Sequence, residues 1–203
     1  MEFADVIAGR RMVRAYRPDP ISDESRERIL TSGSATPTAG NSRGISLVAV
    51  TDRQRRAEIA VAAGEDDFHA RGFPRWLSMA PLHIIPCVSP QAYRDRYSEP
   101  DKSQTESDAW DVPYWWVDGG AALMAILLAA VDEGLGAGFL GEHAIPGLRR
   151  VLEIPDGTQA IGVITVGHPD PERDRQPGSL ERGRSSPEIH RDRWTTTPEL
   201  GRR

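Results

Sequence analysis

One apolar run constrains what this chain can fold into more than any other feature. Residues 119–131 read Gly-Gly-Ala-Ala-Leu-Met-Ala-Ile-Leu-Leu-Ala-Ala-Val and stop at Asp132 and Glu133. A bilayer needs about 20 consecutive apolar residues, so the run is too short to span one. It predicts a helix buried inside the protein, from about 117 to 133, ended by Gly134-Leu135-Gly136. A chain of this size buries one sizeable core, so a single domain over residues 1–203 is expected.

Around that helix, helical and strand-like patterns follow one another. Phe3, Val6 and Ile7 have helical spacing, and Arg17-Pro18-Asp19-Pro20 breaks that first segment. Ser22 is placed as the N-cap of a second helix, with Asp23 and Glu24 at its positive dipole end. It fades near Gly33, and Pro37 closes it. Residues 44–51 alternate and are β-rich, a strand. Asp52 caps a further helix that runs through Ile59 and Val61 to Gly64. Residues 82–88 form a second strand, placed near an edge or a strand end because Pro86 has no donor for the ladder. Residues 89–111 are polar and poorly periodic, and are read as a structureless stretch, either a functional lid or simply mobile. A short helix over 144–152 and a third strand over 159–166 complete the pattern. From about residue 168 to 203 the chain is rich in proline, arginine and aspartate. This arm is either disordered or wrapped over another surface, because it has too few apolar residues to order itself.

Composition narrows the function. With 25 basic and 30 acidic residues the net charge is −5, which argues against nucleic acid as the main partner. Arginine is strongly favoured, Lys102 being the only lysine. The guanidinium fork suits phosphate and carboxylate, so the bias fits an anionic small ligand; high-GC codon usage explains it equally well. The single cysteine, Cys87, excludes an internal disulfide and lies in an apolar run where a buried, inert thiol is expected. Glu65 and His69 share a helical face, but no third ligand has a diagnostic spacing. A salt-bridged surface and no metal are expected there. No Gly-x-Gly-x-x-Gly cradle occurs. The opening residues have no signal-peptide pattern, and the cytoplasm is the expected location, with no membrane association.

Three separated segments carry a resemblance. They are Arg10-Arg11-Met12-Val13-Arg14-Ala15-Tyr16, Pro37-Thr38-Ala39-Gly40-Asn41-Ser42, and Ala137-Gly138-Phe139-Leu140-Gly141 after a Glu-Gly-Leu-Gly turn. The tail adds Arg182-Gly183-Arg184 and His190-Arg191-Asp192-Arg193-Trp194. Singly, each has an ordinary reading: a solvated arginine face, a helix-terminating turn, a C-cap glycine. As an ordered set covering nearly the whole chain, they resemble the nitroreductase family, with a tail like that of its actinobacterial-type members.

The resemblance implies an α+β fold, a nitroreductase-like three-layer α-β-α sandwich with a small central mixed sheet. It implies an intertwined homodimer with a long C-terminal arm and FMN at the interface. The activity implied is an NAD(P)H oxidoreductase moving hydride through flavin N5 to a small electron-poor acceptor, such as a nitroaromatic or quinone. Arg10 would serve the phosphate side. Arg14 would sit beside the N1–C2=O edge, where a fixed cation stabilises charge on the reduced ring. Arg11 and Met12 belong to the same cofactor-binding segment. Arg184, with Arg182 as its substitute, would complete the phosphate clamp. Pro37, Thr38 and Ala39 would pack on the flavin from the neighbouring subunit, with Asn41 on the pyrimidine edge. Leu140 and Gly141 would present backbone near N5, where a side chain would block hydride approach.

The aromatic cluster from Trp110 to Trp116 has two readings: dimer-interface core, or a wall over the flavin in which Trp110 and Tyr114 select flat substrates. Two departures from the family pattern stand out. Met12 occupies the position of a usual serine, and Arg43-Gly44-Ile45 replaces a usual Gln-Pro-Trp. Arg43 would then touch a phosphate or an acidic substrate. Alternatives on the same fold are a deazaflavin-linked or biosynthetic dehydrogenase and a non-catalytic flavin- or ligand-binding dimer.

Overall fold

The computed structural model describes residues 1–102, 110–174 and 188–194. Its first helices form where caps and one-sided apolar spacing coincide. After α1 (Phe3–Gly9), helix α2 (Asp23–Ser34) starts at Ser22, whose hydroxyl accepts from the Ser25 amide at 3.1 Å. Helix α3 (Arg53–Ala62) starts at Asp52, which accepts from the Arg55 amide at 2.8 Å. Gly64, at φ 67°, turns the chain into α4 (Glu65–Ala70), a helix the sequence reading did not separate.

Five strands make the sheet: β1 (Ile45–Val50), β2 (Leu82–Val88), β3 (Gly136–Gly141), β4 (Gln159–Ala160) and β5 (Gly162–Gly167). Their order is β1-β2-β5-β3, with β4 also pairing β2. Every pair of named strands is antiparallel, which corrects the expected mixed sheet. The connection from β1 to β2 leaves and re-enters at the same end, Val50 opposite His83, so the direction must reverse. The isolated Met12–Ala137 bridge is parallel.

Strand β2 is interior rather than near an edge, and all seven of its residues are buried. Pro86 is tolerated because it faces the junction where β5 gives way to β4, and its carbonyl accepts from the Ile161 amide at 2.9 Å. No ladder donor is needed at that point.

Alternation along β2 and β5 sends side chains to two cores. Ile85, Cys87 and Val163 join Ile59 of α3 and Leu148 of the short α7 (Leu148–Val151) on one face. Leu82, Ile84, Ile164 and Val166 join Ile29 of α2 and Ile126 and Leu127 of the central helix on the other. This is the expected α+β arrangement with helices on both sides. The central helix, α6 (Tyr114–Asp132), is long and apolar enough to cross a membrane by length and composition. Its inner face is packed against the sheet and α2. Gly33 of α2 permits that approach, since a Cβ there would lie 2.6 Å from Ile126 Cγ1. The outer face is not buried within this chain: Tyr114, Trp116, Val117 and Met124 are all exposed.

Part of the stretch read as structureless is a helix, α5 (Pro90–Tyr97). Ser89 caps it, accepting from the Ala92 amide at 3.4 Å, and Pro90 occupies its first turn. Residues 103–109 of that stretch lie outside the described residues, as does 175–187 of the arm. The arm begins pinned to the N-terminal segment: Arg17 N donates to His168 O, and Asp170 N to Ala15 O, each at 2.9 Å.

Candidate functional site

The arginine segment runs alongside the edge strand β3, Met12 forming a parallel bridge with Ala137. Val13 N donates to Ala137 O at 2.8 Å, and the buried Tyr16 hydroxyl donates to Val13 O at 3.0 Å. Burial pushes that phenol far above its usual range. Gly138 is required here, because a Cβ would sit on the Val13 carbonyl and 2.9 Å from the Trp76 ring. The buried Asp174 carboxylate binds the segment from the other side. It accepts from Arg11 NH1 at 2.8 Å and from the Arg14 amide at 3.0 Å. The Arg11 guanidinium is therefore already paired, while the Arg14 guanidinium reaches over Trp76, 5.8 Å from the ring centroid.

Arg14 and Leu140 line one cavity of about 190 Å³, together with Glu65, Phe68, Phe73 and Trp76. Of these the sequence reading named only Arg14 and Leu140 as site residues. Glu65 is a correction. It does not form a salt-bridged surface with His69 but is buried, its carboxylate accepting from three successive amides: Trp76 at 2.8 Å, Leu77 at 2.6 Å and Ser78 at 3.2 Å. His69 instead contacts Phe73 O through Nδ1 at 2.9 Å. The same 76–80 turn is held twice more. His83 Nε2 contacts Leu77 O at 2.7 Å, and Arg56 donates to Ala80 O. Nε2 must carry the proton, since a carbonyl only accepts, and burial lowers the imidazole to about 4. Cys87 is the inert thiol expected, pushed up to about 11 by burial.

The remaining assigned residues are spread over two regions. Arg10 caps the C-terminus of α1, Met12 bridges Ala137, and Gly141 ends β3 with the His143 ring against the space a Cβ would fill. The 37–41 turn is elsewhere, packed on α5 and α6. Thr38 Oγ1 accepts from the Arg43 amide at 3.0 Å, and both Asn41 (φ 58°) and Arg43 (φ 54°) are exposed with left-handed backbone. Trp110 and Tyr114 are near that turn rather than at the Arg14 cavity. Trp110 packs between Tyr97 and Tyr114, at 4.6 and 5.1 Å between centroids. Arg182 and Arg184 lie outside the described residues. The one signal for the missed cavity wall was aromatic density, Phe68, Phe73 and Trp76, in an otherwise polar segment.

Residues 7–168 match the sequence profile of the nitroreductase family. The chain belongs to that family. Among relatives of this chain is an Archaeoglobus fulgidus protein provisionally named NADH dehydrogenase/NAD(P)H nitroreductase, 29% identical over 198 residues and covering 95% of this chain and 99% of the relative. The NADPH-flavin oxidoreductase of Vibrio harveyi is 26% identical over 168 residues, 82% of this chain and 65% of that protein. Among solved structures, the hypothetical oxidoreductase YcnD of Bacillus subtilis superimposes with a TM-score of 0.72 at 22% identity, over 98% of this chain and 77% of that one. That likeness shows that the nitroreductase fold is shared.

Proposed function

We propose that this nitroreductase is an FMN-dependent NAD(P)H oxidoreductase acting on small electron-poor acceptors, nitroaromatics or quinones, as a homodimer with its flavin sites at the interface. The observation that carries the reading is the Arg14 guanidinium at the wall of an aromatic and aliphatic cavity beside the glycine-built strand β3. Relatives named NADPH-flavin oxidoreductase and FMN reductase support it.

The residues present fit FMN. A flat heteroaromatic ring with an anionic edge asks for apolar walls and one fixed cation, and Trp76, Leu140 and Arg14 supply that set. Bound FMN supplies hydride chemistry, taking two electrons from a nicotinamide and passing them on. Arg14 counters negative charge at the pyrimidine edge, its backbone held by the Asp174 contact to its amide and its guanidinium lying over Trp76. Arg10 faces the phosphate side, with Arg182 and Arg184 assigned to the same clamp. Arg11, held by Asp174, acts as a strut of this segment. Gly141 presents backbone near the reacting edge, with the His143 ring in the space a side chain would take. Pro37, Thr38, Ala39 and Asn41 serve the partner's flavin, and Arg43 an acidic group on phosphate or acceptor. Trp110 and Tyr114 bias the acceptor toward flat molecules.

Two features support the dimer. Helix α6 presents Tyr114, Trp116, Val117 and Met124 on one exposed face. Strand β1 is paired on one side only among the described residues, which leaves an edge for the arm of a second copy. The cytoplasm, which holds the NAD(P)H pool, is the proposed location.

The deciding measurement is the anaerobic absorbance spectrum, first with FMN and then with NADPH. Bound flavin that bleaches is the expected result. Bound flavin that NADPH leaves oxidised points to a deazaflavin-linked or binding-only protein, and no bound flavin sinks the reading.

A further inference from the structure

The 37–41 turn is tied to α5 and α6 by more contacts than a helix-terminating turn needs. Asp118, buried on α6, accepts through Oδ2 both from the Ala39 amide at 2.7 Å and from the Tyr93 hydroxyl at 2.8 Å. Tyr93, on α5, is fully buried. Arg96, one turn further along, donates Nε to Gly40 O at 2.8 Å while two 2.8 Å bonds to Asp101 fix its guanidinium. Tyr97 lies against Gly40, where a Cβ would come 2.8 Å from its Cε2.

These contacts select one backbone shape. Gly40 (φ 62°) and Asn41 (φ 58°) are successive residues in the left-handed region, which glycine adopts freely and asparagine tolerates, so the shape is one of several open to this turn until the contacts fix it. Behind the turn Asp118 and Tyr93 are buried and bonded, with Arg96 and Tyr97 half-buried beside them; in front, Asn41 is exposed.

We propose that Asp118 is a positioning residue, which with Tyr93 sets the 37–41 turn in its flavin-receiving conformation before FMN arrives. The proposal rests on the reading that Asn41 contacts FMN. A turn already in its bound shape loses little freedom on binding, so the brace is read out as cofactor affinity. Helix α5 is accordingly a fixed support of the site, and Asp118 acts through Ala39 without touching the cofactor.

The test is an FMN titration, followed by quenching of flavin fluorescence, on the full chain and on four variants: Asn41→Ala, Asp118→Ala, Asp118→Asn and Tyr93→Phe. Melting temperature without FMN and the sedimentation coefficient are recorded for each. Asp118→Ala should raise the FMN Kd about tenfold or more, and Tyr93→Phe about threefold. Asp118→Asn should stay within about threefold of the parent, because its amide oxygen can still accept from Ala39. An unchanged Kd in folded, dimeric Asp118→Ala overturns the proposal, and so does weakening that merely follows loss of the dimer. Should Asp118→Ala not fold, Tyr93→Phe decides, with an unchanged Kd again overturning it. If Asn41→Ala leaves the Kd unchanged, the assignment of the turn to the flavin fails, and the brace fails with it. If Asn41→Ala weakens binding while Asp118→Ala and Tyr93→Phe do not, only the brace fails.

Discussion

Replacing Glu65 by alanine should cost this protein about 3 kcal/mol of stability. The carboxylate satisfies three consecutive amides, of which Leu77 N is buried and Trp76 N and Ser78 N are partly so. Leaving a buried donor without a partner costs about 2 kcal/mol, and each partly wet one about 0.5–1 kcal/mol. Relief from burying a charge offsets part of that sum. Water entering from the neighbouring cavities, both of which Glu65 lines, offsets more. Glu65→Gln keeps an acceptor oxygen and should cost about 1 kcal/mol. For a chain of this length, 3 kcal/mol corresponds to a fall of roughly 6–12 °C in Tm. Urea unfolding at one fixed protomer concentration measures the difference without confusing it with dissociation. If Glu65→Ala unfolds within about 0.5 kcal/mol of the parent, the grip on the 76–78 turn is not what stabilises it.

Three further outcomes follow from the same geometry. Arg14→Ala should keep the fold and slow flavin reduction by about 10–100-fold in anaerobic stopped flow; unchanged kinetics would remove its assigned role. Gly138→Ala should cost about 2–3 kcal/mol, because its methyl group meets the Val13 carbonyl and the Trp76 ring; a melt matching the parent's would refute that close approach. His83, lowered to about 4 from 6.5, stays neutral in the folded chain while the unfolded chain takes up a proton. Its contribution to stability is therefore complete above pH 6.5 and lost as pH falls toward 4, by about 1.4 kcal/mol per unit. Denaturation curves of the parent and His83→Gln should diverge in slope only across that window.

The elements legible in the sequence were those with a local cause. Ser22 and Asp52 announce their helices because a cap is a contact three residues away. The strand of residues 82–88 shows its apolar run directly. Strand β3 went unnoticed because Gly-Ala-Gly-Phe-Leu-Gly has neither β-branching nor alternation; Gly136 and Gly138 answer to Val13, far away in sequence. Pro86 suggested an edge because the sequence does not show that β4 and β5 part opposite it. Helix α5 had its signal, Ser89 followed by Pro90, but charged residues hid the burial of Tyr93. In the candidate site, Arg14 and Leu140, which line one cavity, were named by resemblance. Glu65 was misjudged because a buried carboxylate that bonds only backbone amides leaves no partner residue to recognise. Asp118 escaped notice because its partners, the Ala39 amide and the Tyr93 hydroxyl, are far from it in sequence.

The Asp174 contact also orders events during synthesis. The amide of Arg14 waits for a carboxylate 160 residues further along. At about 5–20 residues per second, that interval lasts roughly 8–32 s on the ribosome. Until residue 137 is made the arginine segment lacks the strand that receives Val13, and until residue 174 is made it lacks its aspartate as well. A nascent chain can therefore pack the β1–β2 half of its sheet early, yet the pocket around Arg14 closes only after residue 174 emerges. Truncation just before that residue should leave Val13 and Arg17 bonded to Ala137 and His168 but deprive Arg11 and the Arg14 amide of their carboxylate.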